Sequence, residues 1–347
     1  MRPVVSSVGA SAANRYERIG YVLDMERTRG VKMTGHRLRH LSGKVHRGRG
    51  PIVVLVYHMI AATPSDPFGL AVSPELFEAQ ARMLAREFDV IPATEIRNAS
   101  ARARVVVTFD DGYVDNLEVA APLLAAQGLP ATFFVNTPHR SDREMWWNEI
   151  THALAAPVAC DFLEIEVGRR VAVDVRSETA RDQAVINLAA HLETKSIASV
   201  EAMLSSVYRQ LGVEPHRCAL HRRLKDHELV ELQRLGAFEI GCHTPSHAAL
   251  VALDDEAAAA EIEASRSHLT ELFGTAPESF AYPFGSLGYT FTSSHAQMIQ
   301  GAGFSQAFTT EHQDVARWFD PYLVPRITVP PVVADDLHLT ITQAMGI

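Results

Sequence analysis

The 347-residue sequence has only three cysteines, Cys160, Cys218 and Cys242. They are odd in number, far apart and without a Cys-x-x-Cys spacing, so neither a disulfide framework nor a thiolate zinc site is suggested; they read as reduced core thiols. No stretch reaches the roughly 18 consecutive apolar residues that a membrane-spanning helix needs. Positive charge is not in excess: 32 Lys and Arg stand against 41 Asp and Glu, a formal net charge of -9. No basic run is interleaved with aromatics, so no nucleic acid is expected as a partner. Repeats and low-complexity tracts are missing too, apart from the alanines of Ala257 to Ala260.

What is present, 47% hydrophobic and 21% charged residues, suits a soluble globular chain with one large α/β domain or two small ones. The N-terminal residues stand apart. Val4 to Ala12 ends in an Ala-x-Ala pattern, but serines break its apolar run and only Arg2 precedes it, which disfavours a signal peptide. Arg27, Arg29, Lys32, Arg37, Arg39, Lys44, Arg47 and Arg49 form a basic stretch. Its simplest reading is a solvated, disordered tail; the alternative is peripheral contact with an anionic membrane surface. The expected layout is a basic extension over residues 1–50 and a folded domain over 51–347, cytoplasmic or peripheral at the membrane rather than secreted. Met25 and Met33 leave a later natural start open.

From Pro51 onward, short apolar runs alternate with helical patterns. Ile52 to Tyr57 reads as a buried parallel strand, and Pro74 to Arg86 as a helix capped by Ser73 with proline at its first position. Strands are expected at Asp89 to Ile91, Val105 to Phe109, Ala131 to Val135, Glu239 to Cys242, Ser279 to Ala281, Gln306 to Thr309 and Leu323 to Val329. The intervening helices are Asn116 to Gln127, Asp226 to Leu235, Asp254 to Phe273 and Ser294 to Gly301. This alternation predicts an α/β fold with a parallel sheet closed or nearly closed into a barrel, whose functional groups sit at the carboxyl ends of strands. Between about 146 and 225 it is interrupted by a hairpin around Gly168-Arg169 and two amphipathic helices, an inserted subdomain that is either a wall of the substrate groove or mere embellishment.

Three clusters follow strands. Asp110-Asp111-Gly112 offers one carboxylate for a metal and one to hold water as a general base, although such a triplet alone is a common turn. His243-Thr-Pro-Ser-His247 brings two imidazoles within reach of one divalent ion; with Asp111 as third ligand, coordination positions stay open, as in a catalytic zinc site. Phe280-Ala-Tyr-Pro-Phe-Gly285 fixes a turn able to aim the Phe284 N–H at an oxyanion, with Tyr282 and Phe284 offering apolar surface to a sugar ring.

Together these clusters resemble the polysaccharide deacetylases, carbohydrate esterase family 4. Thr108 to Gly112 matches the Thr-Phe-Asp-Asp-Gly motif, His243 to His247 the His-Ser/Thr-x-x-His motif, and Pro283, Phe284 and Gly285 most of the third. The resemblance, over about residues 51–329, implies a distorted (β/α)7-8 barrel, Asp110 as base, Asp111, His243 and His247 as ligands of one divalent metal, and the Phe284 N–H as oxyanion donor. Zinc suits this set, while cobalt, nickel and iron are admissible. The arginine that usually opens the third motif is Ala281 here, and Arg326 is the candidate replacement as the cation that positions the base. The late Leu-x-x-His motif has no clean counterpart; Leu337-His338 and His312 are poorly placed. The chain looks similar to the exopolysaccharide, poly-N-acetylglucosamine-modifying branch, in which a histidine on the first strand is the acid, here His58. The implied reaction is hydrolysis of the N-acetyl group of an amino sugar, giving acetate and a free amine. The alternative is a deformylase or other amidase acting on a lipid-linked or nucleotide-linked sugar. An aspartate phosphatase does not fit, because it needs Asp-x-Asp.

Overall fold

The computed structural model describes residues 50–63, 65–98, 100–138, 144–155, 158, 160–215, 218–311 and 320–347. The readings made on the basic N-terminal extension, the Ala-x-Ala segment and His312 lie outside the described residues.

Buried β-branched runs form the sheet. β1 (Ile52–Tyr57) and β3 (Arg104–Phe109) pair in parallel along their whole length, from Ile52 opposite Arg104 to Tyr57 opposite Phe109. β2 (Asp89–Ile91) flanks the first half of β3, and β4 (Ala131–Val135) the second. β7 (Phe238–Cys242), β8 (Ser279–Ala281) and β9 (Gln306–Phe308) continue outward, and β10 (Ile327–Thr328) lies on the other side of β1. Every pairing in this sheet is parallel, and helices cover its outer face, as in a distorted (β/α) barrel.

The segment read as a single strand from Leu323 to Val329 is two short pairings. Ala307 N–H donates to Pro321 O and Thr309 N–H to Val324 O, tying the first half to β9, while Val329 N–H donates to Val56 O beside β10. Pro325 has no N–H, so the ladder changes partner there. The same segment therefore hydrogen-bonds to both ends of the sheet and curls it toward closure.

Local signals set the helices. α1 (Pro74–Glu87) starts with Ser73 accepting from the Leu76 N–H, followed by proline. The stretch after Asp111 was expected to be a plain α-helix, but Asn116–Ala120 is a π-helical turn that tightens into α2 (Ala121–Ala126). α3 (Trp146–Ala155) and the closing α9 (Ala334–Met345) lie where no helix was expected. α6 (Asp226–Leu235), α7 (Asp255–Phe273) and α8 (Ser293–Gly301) fall close to the expected spans.

The interrupting region contains an antiparallel hairpin, β5 (Phe162–Glu166) with β6 (Arg170–Asp174), and the helices α4 (Glu178–Leu192) and α5 (Ile197–Leu211). Leu163, Ile165, Leu188, Leu204 and Val207 bury together with Ile150 and Leu154 of α3 in a cluster distinct from the barrel core. Of the three cysteines only Cys242 is a core thiol, pushed up to about 12 by burial. Cys160 and Cys218 are part-exposed, which corrects the reading of all three as core residues.

Candidate active site

The expected clusters meet at the carboxyl ends of β3, β7 and β8, with His58 directly after β1. Among the described residues, the non-glycine residues with positive φ are Asp111 (73°), Thr244 (60°), His247 (53°) and Phe284 (60°), all in these loops. Left-handed backbone at such residues persists only where the surroundings over-determine it, and it gathers at functional sites. Gly285, at φ 70°, shows the crowding: a Cβ there would stand 2.4 Å from the Thr310 nitrogen.

Asp110 is 2% exposed and gripped in a fork by Arg326, whose Nη1 and Nη2 donate to Oδ1 at 2.7 Å and Oδ2 at 2.6 Å. The guanidinium is itself locked. Its Nε donates to Thr309 O and its Nη1 to Thr108 Oγ1, and it lies over the Phe134 and Phe308 rings. Burial alone would raise the Asp110 carboxyl, but the opposing charge of Arg326, with His243 and His58 adding to it, holds it below the usual carboxylate range.

Beside this pair, Asp111 Oδ1 is buried without a hydrogen-bond partner, 3.3 Å from His247 Nε2 and 3.6 Å from His243 Nε2. The three ligand atoms lie within 4.8 Å of one another. His243 Nδ1 lies 2.8 Å from Ala281 O, so it donates there and leaves the Nε2 lone pair facing Asp111. Burial pushes the His243 imidazole down to about 4, against the pull of Asp110, so it is neutral at pH 7, the form that ligates. Asn136 Nδ2 pins the loop by donating to His243 O and Thr244 O. An orphaned carboxylate oxygen facing two imidazole nitrogens fits one divalent cation.

His58 is near enough to help lower both aspartates, and its Nδ1 is buried without a partner. Phe284 packs its ring against His247, and its carbonyl accepts from Thr310 Oγ1. Tyr282 departs from the expectation. It is fully buried, stacked on Phe291 at 3.7 Å, with its hydroxyl donating to Tyr322 O, so it faces the core and offers no surface to a sugar. The aromatic wall comes instead from α3: Trp147 lies against His247 and Phe284, and Trp146 against Phe284. Tyr113 supports it, its hydroxyl accepting from Trp147 Nε1 and Asn148 Nδ2. Adjacent tryptophans opening the interrupting region were the available signal for this wall.

Known proteins share this architecture. The structure is similar to a Streptococcus pyogenes deacetylase, PplD, in complex with acetate, at 17% identity and a TM-score of 0.55, covering 84% of this chain and 99% of that one. IcaB from Ammonifex degensii matches at 20% identity and 0.51, over 85% and 97%. A de-N-acetylase from Aggregatibacter actinomycetemcomitans matches at 15% and 0.52, over 84% and 99%. At these identities the likeness establishes the barrel fold. A comparison with curated protein sequences finds no match. Among the described residues no helix is long and apolar enough to cross a membrane. The profile of the polysaccharide deacetylase family matches residues 97–161 and 198–306, half of the chain. Spanning both the Asp110-Asp111 and the His243-His247 loops, that match shows that the chain belongs to the polysaccharide deacetylase family, whose members are metal-dependent hydrolytic deacetylases.

Proposed function

We propose that this chain hydrolyses the N-acetyl group of amino sugars in an exopolysaccharide, with Asp110 as base, His58 as acid and Arg326 as the residue that positions the base. The observation that carries the reading is the Arg326 fork on Asp110 beside the unpartnered Asp111 oxygen and its two imidazole nitrogens. Asp111, His243 and His247 would hold the metal, zinc being the best match for one carboxylate and two imidazoles. Such a cation supplies Lewis acidity, acidifying water and polarising the scissile carbonyl.

The protein groups do the rest. Each Asp110 oxygen accepts one bond from Arg326 and keeps a lone pair; Oδ2, 3.9 Å from His243 Nε2, faces the ligand set and is the atom that takes the proton from water. Ionised at neutral pH, it needs no prior deprotonation. The Phe284 N–H donates to the developing oxyanion, and protonated His58 delivers a proton to the departing nitrogen, which leaves as a neutral amine. Trp146, Trp147 and Phe284 offer the sugar ring an aromatic face.

The test is acetate release from poly-N-acetylglucosamine oligomers, with chelation followed by re-addition of single metals. The expected result is chelator-sensitive release restored best by zinc; formate release from formamido sugars in its place would move the reading to the deformylase alternative. His58→Ala should lower the rate by about 10²-fold or more, and a normal rate would pass the acid role to another group.

A further inference from the structure

A second cluster of ligating side chains lies where the interrupting region begins and ends. His152 of α3, with Cys218 and His221 around the 3-10 turn Ala219–His221, offer ligand atoms within 4.8 Å of one another. Among the described residues this is the only such trio besides Asp111, His243 and His247. A carboxylate joins it. Glu144 Oε2 is 3.1 Å from His152 Nδ1 and 3.8 Å from His221 Nδ1, while Oε1 accepts the Cys218 N–H. The two imidazoles stack with centroids 4.6 Å apart.

Ordinary packing does not account for this group. His221 is 3% exposed with no hydrogen-bond partner on Nδ1, while Glu144, 8% exposed, turns Oε2 toward both imidazoles. A buried polar atom left in this way costs about 1–3 kcal/mol, so the arrangement is unfavourable unless something enters it. Two imidazoles, a thiol and a carboxylate are donors for a borderline-soft ion and exclude calcium or magnesium, which want oxygen alone.

We propose that His152, Cys218, His221 and Glu144 bind a second divalent transition-metal ion, zinc being the best match, in a closed structural site. Binding releases the Cys218 thiol proton to solvent and draws the side chains inward, since ligands of a tetrahedral zinc stand about 3.5 Å apart. The ion fastens α3 to the chain that backs the aspartate loop. There Val114 N–H donates to Arg222 O at 2.9 Å, Leu224 N–H donates to Gly112 O at 2.8 Å, and the Tyr113 ring meets that of His221. This site stands independently of the deacetylase reading.

The catalytic trio contains no sulfur, which makes the test specific. The full chain, stripped and titrated with cobalt, should take up a second equivalent and show a thiolate-to-cobalt charge-transfer band in the near ultraviolet. Cys218→Ala should abolish the band and remove one equivalent; His243→Ala should keep the band. Hydrogen exchange at residues 112–114 and 222–224 should slow when the second equivalent binds. Saturation of the wild-type chain at one equivalent without the band, or a band that survives in Cys218→Ala, overturns the proposal. Should Cys218→Ala not fold, the wild-type titration and the His243→Ala spectrum still decide it.

Discussion

The strand ends of the barrel and the hairpin-and-helix region follow different rules of backbone geometry. At the strand ends Asp111, Thr244, His247 and Phe284 all hold positive φ, a conformation that costs of order 1–3 kcal/mol for such residues. Across residues 160–215 positive φ occurs only at glycines, Gly168 in the hairpin turn and Gly212 closing α5. The first region is held by specific polar clamps such as Asn136 on the His243 loop and Thr310 on Phe284. The second is held by burial of leucines and valines. Strain sits where the fold fixes the aim of a side chain, and it is absent where only area must be covered.

Asp110→Asn tests the strand-end half of this contrast most severely. It should lower kcat by about 10³-fold or more while metal remains bound. It also leaves the Arg326 guanidinium buried and unpaired, so denaturant unfolding should show a loss of about 3–5 kcal/mol. Activity within tenfold of the parent would mean that the base is elsewhere.

Arg326→Met separates positioning from chemistry. A depressed carboxyl stays ionised to lower pH, and the stability it contributes is present at neutral pH and lost as pH falls through its folded value. Without the guanidinium, burial dominates and the Asp110 carboxyl rises. The acidic limb of the kcat/KM profile should therefore move to higher pH, with the rate at pH 7 lower by roughly 10-fold to 10²-fold. An unmoved limb would show that Arg326 is only a packing residue.

The smallest effects come from a matched pair. Gly285→Ala meets the Thr310 nitrogen at 2.4 Å as well as a φ of 70°, whereas Gly212→Ala, at φ 66°, meets nothing within 4 Å. Losses of about 3 kcal/mol and about 1 kcal/mol are expected from chemical denaturation. Equal losses would mean that the crowding at the strand ends does not distinguish the two regions.

Much of this was readable in the sequence for local reasons. Val105 to Phe109, with two aspartates and a glycine directly after it, announces a strand and its loop within a few residues; so does the spacing of His243 and His247. The alternation of runs and helices gave the barrel. Contacts between distant segments were harder to read. Tyr282 was aimed at the site because it lies two residues from Phe284, yet the turn at Pro283 and the positive φ of Phe284 part the two side chains, and Tyr282 stays in the core. Trp147 and Tyr113 meet through a hydrogen bond across 34 residues, which no periodicity encodes. Cys218-x-x-His221 carried a ligand spacing that was passed over, because its partner His152 lies on the far side of a hairpin and two helices.

The Arg326 grip on Asp110 spans 216 positions of sequence. On a ribosome, the aspartates and both histidines emerge well before it, so the growing chain can hold the proposed ligand trio before the counter-charge of Asp110 is present. The proposed chemistry therefore waits for the segment that joins the two ends of the sheet, and the bond that helps close the barrel is also the one that would hold its base ready.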